Sequence, residues 1–281
     1  MTVTQQSMKP ILILGGTGKT GRRIAEQLVA RDLPVRIGSR GSTPSFDWEN
    51  RATWAGALEG VGAVYVSYYP DLAAPGASEA VGTFAELAVA MGVKRLVLLS
   101  GRGEPEAQRA EEMVKQSGAE WTILRCSWFM QNFSESFMLD AVLAGEVALP
   151  VGAVREPFVD ADDIADAAVA AFTDNRHIGQ FYELTGPRFM TFAEAVADIA
   201  EAAGREIRFV ELTTEQFAAR LAEQQLPQGL IDLLMMLFTE VLDGRNEYLT
   251  DGVERALGRP ARDFRDYASA VAATGIWGGA K

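Results

Sequence analysis

The 281 residues contain one cysteine, Cys126, and one histidine, His177. A lone thiol excludes an internal disulfide framework and fits a reducing compartment. A zinc site is not expected either, because such sites draw several ligands from Cys and His. His177 lies in the polar stretch 173–177, which predicts a solvated loop residue. A basic footprint is also missing: the formal net charge is −12, which argues against a nucleic-acid partner. An anionic small molecule stays allowed, since local N–H groups and one or two cations suffice to bind it. No apolar run approaches the roughly 20 residues needed to span a bilayer, so no membrane partner is expected. Residues 1–7 are polar, without the basic start and apolar core of a signal peptide, and read as a loose tail. The expectation is a soluble, cytoplasmic chain with no metal.

With 48% hydrophobic and 23% charged residues, the composition is that of an ordinary globular protein of one large domain, or one domain with a smaller appendage. The first two-thirds alternates apolar strands with amphipathic helices, the pattern of a parallel sheet covered on both faces. Strands are expected at 10–15, 34–39, 62–68, 95–100 and 120–125, with a further short one at Phe46-Asp47-Trp48. Helices are expected at about 20–31, 51–58, 77–91 and 105–117. After Arg125 the rhythm changes. A helix near 128–143, strands near 146–150 and 157–159, and a helix at 162–173 follow, the last with Asp160, Asp162 and Asp163 as N-terminal negative charge rather than metal ligands. Strands at 180–184 and 206–212 and helices at 191–203, 214–223, 227–243, 251–257 and 263–273 complete the chain. The segment 230–242 is apolar nearly all round and should be buried, against the sheet, over a pocket or at a subunit interface.

Chemistry enters with Gly15-Gly16-Thr17-Gly18-Lys19-Thr20-Gly21. This run follows the apolar Ile11–Leu14 and opens a helix, so glycines at 15, 18 and 21 give a tight turn, close backbone approach to a pyrophosphate and close helix–sheet packing. The free N–H groups of the helix start then face the phosphates. Gly18-Lys19-Thr20 also matches the end of a triphosphate-binding P-loop, but that motif needs glycine where Ile13 stands. The fold class that follows is α/β: a Rossmann-type doubly wound parallel sheet, with a smaller C-terminal α/β subdomain covering the substrate. Residues 8–127 form the dinucleotide domain and 128–281 mainly the subdomain, with part returning to the sheet. The second strand ends in Ser39 and Arg40, where an acidic residue would bind the ribose 2′-OH of NAD. A guanidinium pairs with a phosphate, so NADP(H) is the preferred cofactor and NAD(H) a possible one. Asp47 is placed to accept from the adenine amino group, and Tyr68, Tyr69, Ser100 and Gly101 complete the expected cofactor contacts.

Gly15 to Gly21, Leu98-Leu99-Ser100-Gly101, the stretch from Ala110-Glu111 to Ser117-Gly118, Trp121-Thr122-Ile123-Leu124-Arg125, Phe129, Asn132 and Phe158 to Ala165 together resemble the NmrA-like branch of the atypical short-chain dehydrogenase/reductases. Within that branch the chain is similar to bacterial relatives of the ergot-alkaloid iminium reductase (agroclavine dehydrogenase) and NADPH:quinone reductase groups. One departure bears on mechanism. Most short-chain reductases carry a Tyr with Lys four residues later, yet none of the six tyrosines here has Lys at that spacing. Counting back from Glu111, a recurrent helix residue of the family, the two positions hold Gly103 and Ala107. The resemblance then implies an NADPH-dependent reductase of a planar, electron-poor small molecule, such as a quinone or iminium in secondary metabolism, whose acceptor needs no enzymic proton donor. A dinucleotide sensor without turnover, or a biosynthetic enzyme using the site for oxygen or non-redox chemistry, are the alternatives. Ser100 and Asn132 are the expected catalytic residues, with Arg102, Trp128, Phe129 and Phe133 against the substrate. The acceptor is expected between the nicotinamide, the 128–133 helix start and segment 230–242, unless that segment is the interface of a homodimer.

Overall fold

The computed structural model describes residues 8–278. The polar residues 1–7 lie outside the described residues. In chain order the elements are β1 (Ile11–Leu14), α1 (Lys19–Val29), β2 (Val35–Gly38), α2 (Trp54–Leu58), β3 (Ala63–Val66), α3 (Ala77–Ala90), β4 (Arg95–Gly101), α4 (Pro105–Gln116) and β5 (Glu120–Cys126). They continue with α5 (Met138–Ala144), β6 (Glu146–Leu149), β7 (Arg155–Glu156), α6 (Ala161–Thr173), β8 (Gln180–Leu184), β9 (Met190–Thr191), α7 (Phe192–Ala203), β10 (Arg208–Glu211), α8 (Thr214–Glu223), α9 (Gln228–Met236), α10 (Gly252–Leu257) and α11 (Phe264–Ala272). The chain divides into two compact units. One comprises the chain up to Gly101 with 105–125 and 164–182; the other comprises 102–104, 126–163 and the chain from Glu183 onward.

The first unit holds a six-stranded sheet of order β2-β1-β3-β4-β5-β8. β1 pairs in parallel with both β2 and β3, and β3 in parallel with β4. Alternation sorts its side chains to two faces. Leu12, Leu14, Val64, Val66, Leu96 and Leu98 pack with Phe84, Ala110 and Val114 of α3 and α4 in one buried cluster. On the opposite face the Tyr65 hydroxyl donates to Thr20 of α1 at 3.0 Å, and Gln27 of α1 reaches Asp166 of α6 at 2.8 Å. Both faces are therefore covered by helices, the expected doubly wound arrangement.

The second unit is built on a different core, in which Met130, Phe133, Phe158, Phe192, Phe238, Phe264 and Trp277 are buried together. β6 pairs in parallel with β10, and β7 antiparallel with β9. Two of its helices begin on capping boxes: Thr191 with Glu194 for α7 and Thr213 with Gln216 for α8 each form reciprocal bonds. No helix among the described residues is long and apolar enough to cross a membrane.

Five local expectations are corrected. Phe46-Asp47-Trp48 is not a strand. Its aromatic alternation comes from Phe46 and Trp48 packing on Trp54 and Phe84, while Phe46 N–H bonds locally to Ser39 O at 2.8 Å. The helix near 128–143 is a 3₁₀ turn, Met130–Phe133, followed by the separate α5. Phe129 is held extended by a bridge to Val159, which stops a helix from starting at 128; this bridge and the two-residue β7 replace the strand expected at 157–159. Helix 227–243 ends α-helical geometry at Met236 and continues as a π turn, Leu237–Val241, where the Thr239 hydroxyl bonds back to Met235 O at 2.7 Å. Leu233, Leu234, Leu237, Phe238, Val241 and Leu242 are buried, whereas Asp232 and Glu240 are exposed. Finally, His177 is fully buried. The short turn Asn175–His177 carries it inward, where its Nδ1 meets the Tyr182 hydroxyl at 2.8 Å, and burial lowers its pKa.

Candidate functional site

The turn between β1 and α1 is shaped by its glycines. Gly15 takes φ +65°, a conformation that costs other residues about 1–2 kcal/mol, and its carbonyl accepts from Gly18 N–H at 2.8 Å. Gly18 stands at the N-cap of α1, so no side chain caps the helix, and no acidic residue occupies the first turn. The first N–H groups of a helix lack partners inside it, and together with the dipole they favour an anion there. Gly15, Thr17 and Gly18 are exposed, Lys19 is half-buried, and Asp71 of the β3–α3 connection lies near enough for the Lys19 charge to act on it. A Cβ at Gly21 would lie 2.2 Å from the Gly15 carbonyl oxygen, so the helix start can seat against the turn only because Gly21 has no side chain. Thr20 is buried and bonded to Tyr65, which makes it a helix–sheet contact. An open, uncapped, backbone-lined cradle of this kind fits a dinucleotide pyrophosphate.

Beyond β2, Ser39 is held in a closed local loop: its N–H bonds to Ser42 Oγ at 3.0 Å, and Ser42 Oγ donates back to Ser39 O at 2.8 Å. Arg40 is exposed with its guanidinium 5.6 Å above the ring of Tyr69, itself 68% exposed. The half-buried Asp47 accepts from Glu49 N–H at 3.1 Å, and its carbonyl accepts from the Trp54 indole at 2.9 Å. Tyr68 packs on Trp48 at 4.9 Å, and burial, with Glu49 and Glu106 adding to it, raises its phenol pKa.

Ser100 ends in a buried network. Its hydroxyl donates to Glu111 Oε1 at 2.6 Å, and Arg125 closes on the same carboxylate through Nε at 2.9 Å and Nη2 at 2.5 Å. Glu111 is fully buried, so the pair ties β4, α4 and β5 together. Gly101, half-buried, follows at the strand end. Ala107, at the position where the family's Lys is expected, is buried in the first turns of α4.

The remaining expected residues belong to the second unit. Arg102 is buried: Nε donates to Glu183 at 2.6 Å, Nη1 to Ser127 Oγ at 2.8 Å and Nη2 to Tyr248 O at 3.0 Å, with the Tyr248 ring 4.2 Å away. Phe133 is buried among Phe158, Phe192 and Phe264. Trp128, Phe129 and Asn132 are half-buried, and the Trp128 ring lies 4.9 Å from Phe238 and 5.8 Å from Phe192. Within this unit, then, segment 230–242 does pack on Trp128, through Phe238. The acidic cluster is used up internally. Asp160 accepts from Asp162 N–H and from Gln131, both at 2.8 Å, while the buried Asp163 pairs with Arg259 at 2.7 Å and with Arg262. Sequence reasoning missed Glu156, which is buried and pushed up to about 7, chiefly by desolvation. Its one signal was an acid set between the apolar Val154 and Phe158, with Arg155 beside it.

Residues 15–175 match the model of a family described as NAD(P)H-binding. The chain belongs to that NAD(P)H-binding family. Its relatives include an NAD(P)H azoreductase of Xenophilus azovorans, 32% identical with 94% of this chain and 98% of the relative covered. An agroclavine dehydrogenase of Claviceps fusiformis is also 32% identical, over 92% and 96% of the two chains. The structure of an NADPH-dependent quinone oxidoreductase from Escherichia coli, complexed with NADPH, superposes with a TM-score of 0.76 at 22% identity, over 93% of this chain and 99% of that one. The expected resemblance to atypical short-chain reductases, the Rossmann-type fold and the NAD(P)H cofactor all hold, and the chain is an NAD(P)H-dependent oxidoreductase of this family.

Proposed function

We propose that this oxidoreductase uses NADPH in preference to NADH to reduce a planar, electron-poor small molecule of the quinone, azo or iminium type. The observation that carries this reading is an intact phosphate turn in a chain without a phenol–ammonium pair: no Tyr is followed by Lys four residues later. When bound, the cofactor supplies a hydride from its reduced nicotinamide.

The chain's own residues hold, orient and exclude. The Gly15–Gly21 turn and the first N–H groups of α1 bind the pyrophosphate, and Arg40, propped on Tyr69, meets the 2′-phosphate. General acid catalysis contributes about 10²–10⁴-fold where a carbonyl oxygen must be protonated as it is reduced. Here the Ser100 hydroxyl is committed to Glu111 and the Tyr68 phenol is raised above its ordinary pKa, so neither is a ready donor. Acceptors whose protons come from water, or which already carry positive charge, escape that requirement. The relatives named for quinones, azo compounds and a clavine support the same class. Trp128, half-buried with Phe238 and Phe192 behind it, gives the second unit an aromatic face on which a planar acceptor stacks.

Trp128→Ala tests this assignment. The Michaelis constant for a quinone should rise about tenfold, as for loss of an aromatic contact worth roughly 1–1.5 kcal/mol, while the calorimetric NADPH affinity stays put. Equal losses in both would overturn the assignment of Trp128 to the acceptor.

A further inference from the structure

Glu156 occupies the second unit as a carboxyl with only half its bonding made. The side chain is 1% exposed. Oε1 accepts from the Trp128 backbone N–H at 3.3 Å, and the Ser127 hydroxyl also bonds to the carboxyl. Oε2 is buried without a hydrogen-bond partner among the described residues. Ionised, the carboxyl would bury charge on an oxygen that meets no donor, whereas the neutral acid leaves there only an unpaired polar group, which costs far less to bury than a charge. Burial with an unpartnered Oε2 therefore favours the acid form.

The charges facing the group are few. Arg102, from the segment after β4, favours ionisation but is already bound to Glu183, Ser127 and Tyr248. Glu247 opposes ionisation and is itself paired with Arg155, the neighbour of Glu156 in β7. Across the β7–β9 pair, Glu156 stands opposite Met190, which offers no charge. Burial outweighs Arg102 and leaves the carboxyl titrating at about 7, well above the usual 4.5.

We propose that Glu156 is a positioning residue whose protonation state sets the Ser127–Trp128 segment, so that binding of the electron acceptor is coupled to uptake of one proton. The neutral form satisfies the bonds present and keeps Trp128 against Phe192 and Phe238. The ionised form places charge on the unmatched Oε2, which is drawn toward Arg102 and takes the Trp128 N–H with it. The consequence for the acceptor rests on the proposed stacking role of Trp128; the coupling of Glu156 to Trp128 does not.

Tryptophan fluorescence of the full chain, followed between about pH 5 and 9, reads the coupling directly, and a Trp128→Phe variant assigns the signal. The expected result is one transition near neutrality that Glu156→Gln and Trp128→Phe each abolish. With quinone as acceptor, the wild-type Michaelis constant should rise about fivefold or more across the transition, with little change in kcat, and should be flat in Glu156→Gln. A wild-type signal without the transition, or one that persists in Glu156→Gln, overturns the proposal. Should Glu156→Gln not fold, infrared spectra of the wild type decide: a buried protonated carboxyl band must fade as pH rises through neutrality, and its absence overturns the proposal equally. If no acceptor is reduced at any pH, the proposed function fails while the fluorescence result still judges Glu156.

Discussion

Gly21→Ala sets two effects against each other. Gly21 is the third residue of α1, where replacing glycine by alanine should by helix propensity alone stabilise the chain by about 1 kcal/mol. The new Cβ, however, would lie 2.2 Å from Gly15 O, 2.7 Å from Gly15 C and 2.9 Å from Gly16 Cα. Non-bonded atoms of this kind rest roughly 3.5 Å apart, so the turn must retreat by about 1 Å. All three contacts are backbone, with no flexible side-chain end to swing away. Strain of this sort costs about 1–3 kcal/mol and outweighs the propensity gain. It falls on the segment assigned to the pyrophosphate, so the NADPH dissociation constant should rise roughly tenfold to a hundredfold, at about 1.4 kcal/mol per decade. Gly18→Ala, whose Cβ meets only Gly15 O at 3.2 Å, should do less, and Gly41→Ala, with nothing within 4 Å, should do nothing. Titration calorimetry with NADPH, alongside thermal melts, measures both sides. A Gly21→Ala protein that melts higher than wild type and binds NADPH equally well would refute the reasoning.

Arg40→Ala should weaken NADPH about tenfold or more and leave NADH nearly unchanged, as expected for losing a charged hydrogen bond worth roughly 1.5–3 kcal/mol; equal loss in calorimetry would remove Arg40 from the 2′-phosphate. Glu111→Gln takes the carboxylate from a buried pair with Arg125 and should lower stability in urea by about 3 kcal/mol, while a loss under 1 kcal/mol would mean that Arg125 finds another partner. Glu156→Gln should show a pH-dependent gain. The folded carboxyl sits at about 7 against an ordinary 4.5, so the neutral form is favoured by folding. Wild-type stability is then fullest below about pH 4.5 and falls as pH rises to about 7, by a total near 3 kcal/mol, which the variant escapes. A stability difference between the two proteins that does not change with pH would contradict this.

Much of the fold was legible because it obeys short-range rules. Apolar runs gave β1, β3, β4 and β5, and α7 and α8 fall within a residue of the spans expected at 191–203 and 214–223. The glycine turn was legible for the same reason, since its shape is set by adjacent residues. What misled depended on partners distant in sequence. The alternation at Phe46-Asp47-Trp48 serves an aromatic cluster with Phe84, and His177, set in a polar stretch, is buried against Tyr182. The burial of Arg102 and Phe133 was likewise hidden, because nothing local marks their partners. Arg102 meets Tyr248 and Phe133 meets Phe264, each more than a hundred residues along the chain. Glu156 stayed hidden for the converse reason, because an acid beside an arginine reads as surface until the burial of its carboxyl is seen.

The central claim is that this chain passes hydride from NADPH to a planar acceptor without a tyrosine–lysine pair. An anaerobic single-turnover experiment tests it most directly: protein loaded with one equivalent of NADPH is mixed with a quinone, and the near-ultraviolet absorbance of the reduced nicotinamide is followed. The expected result is loss of that absorbance in one saturable phase, matched by one equivalent of hydroquinone, and no comparable loss with an aliphatic ketone. NADPH that binds tightly and stays reduced in the presence of quinone, azo and iminium acceptors alike would contradict it.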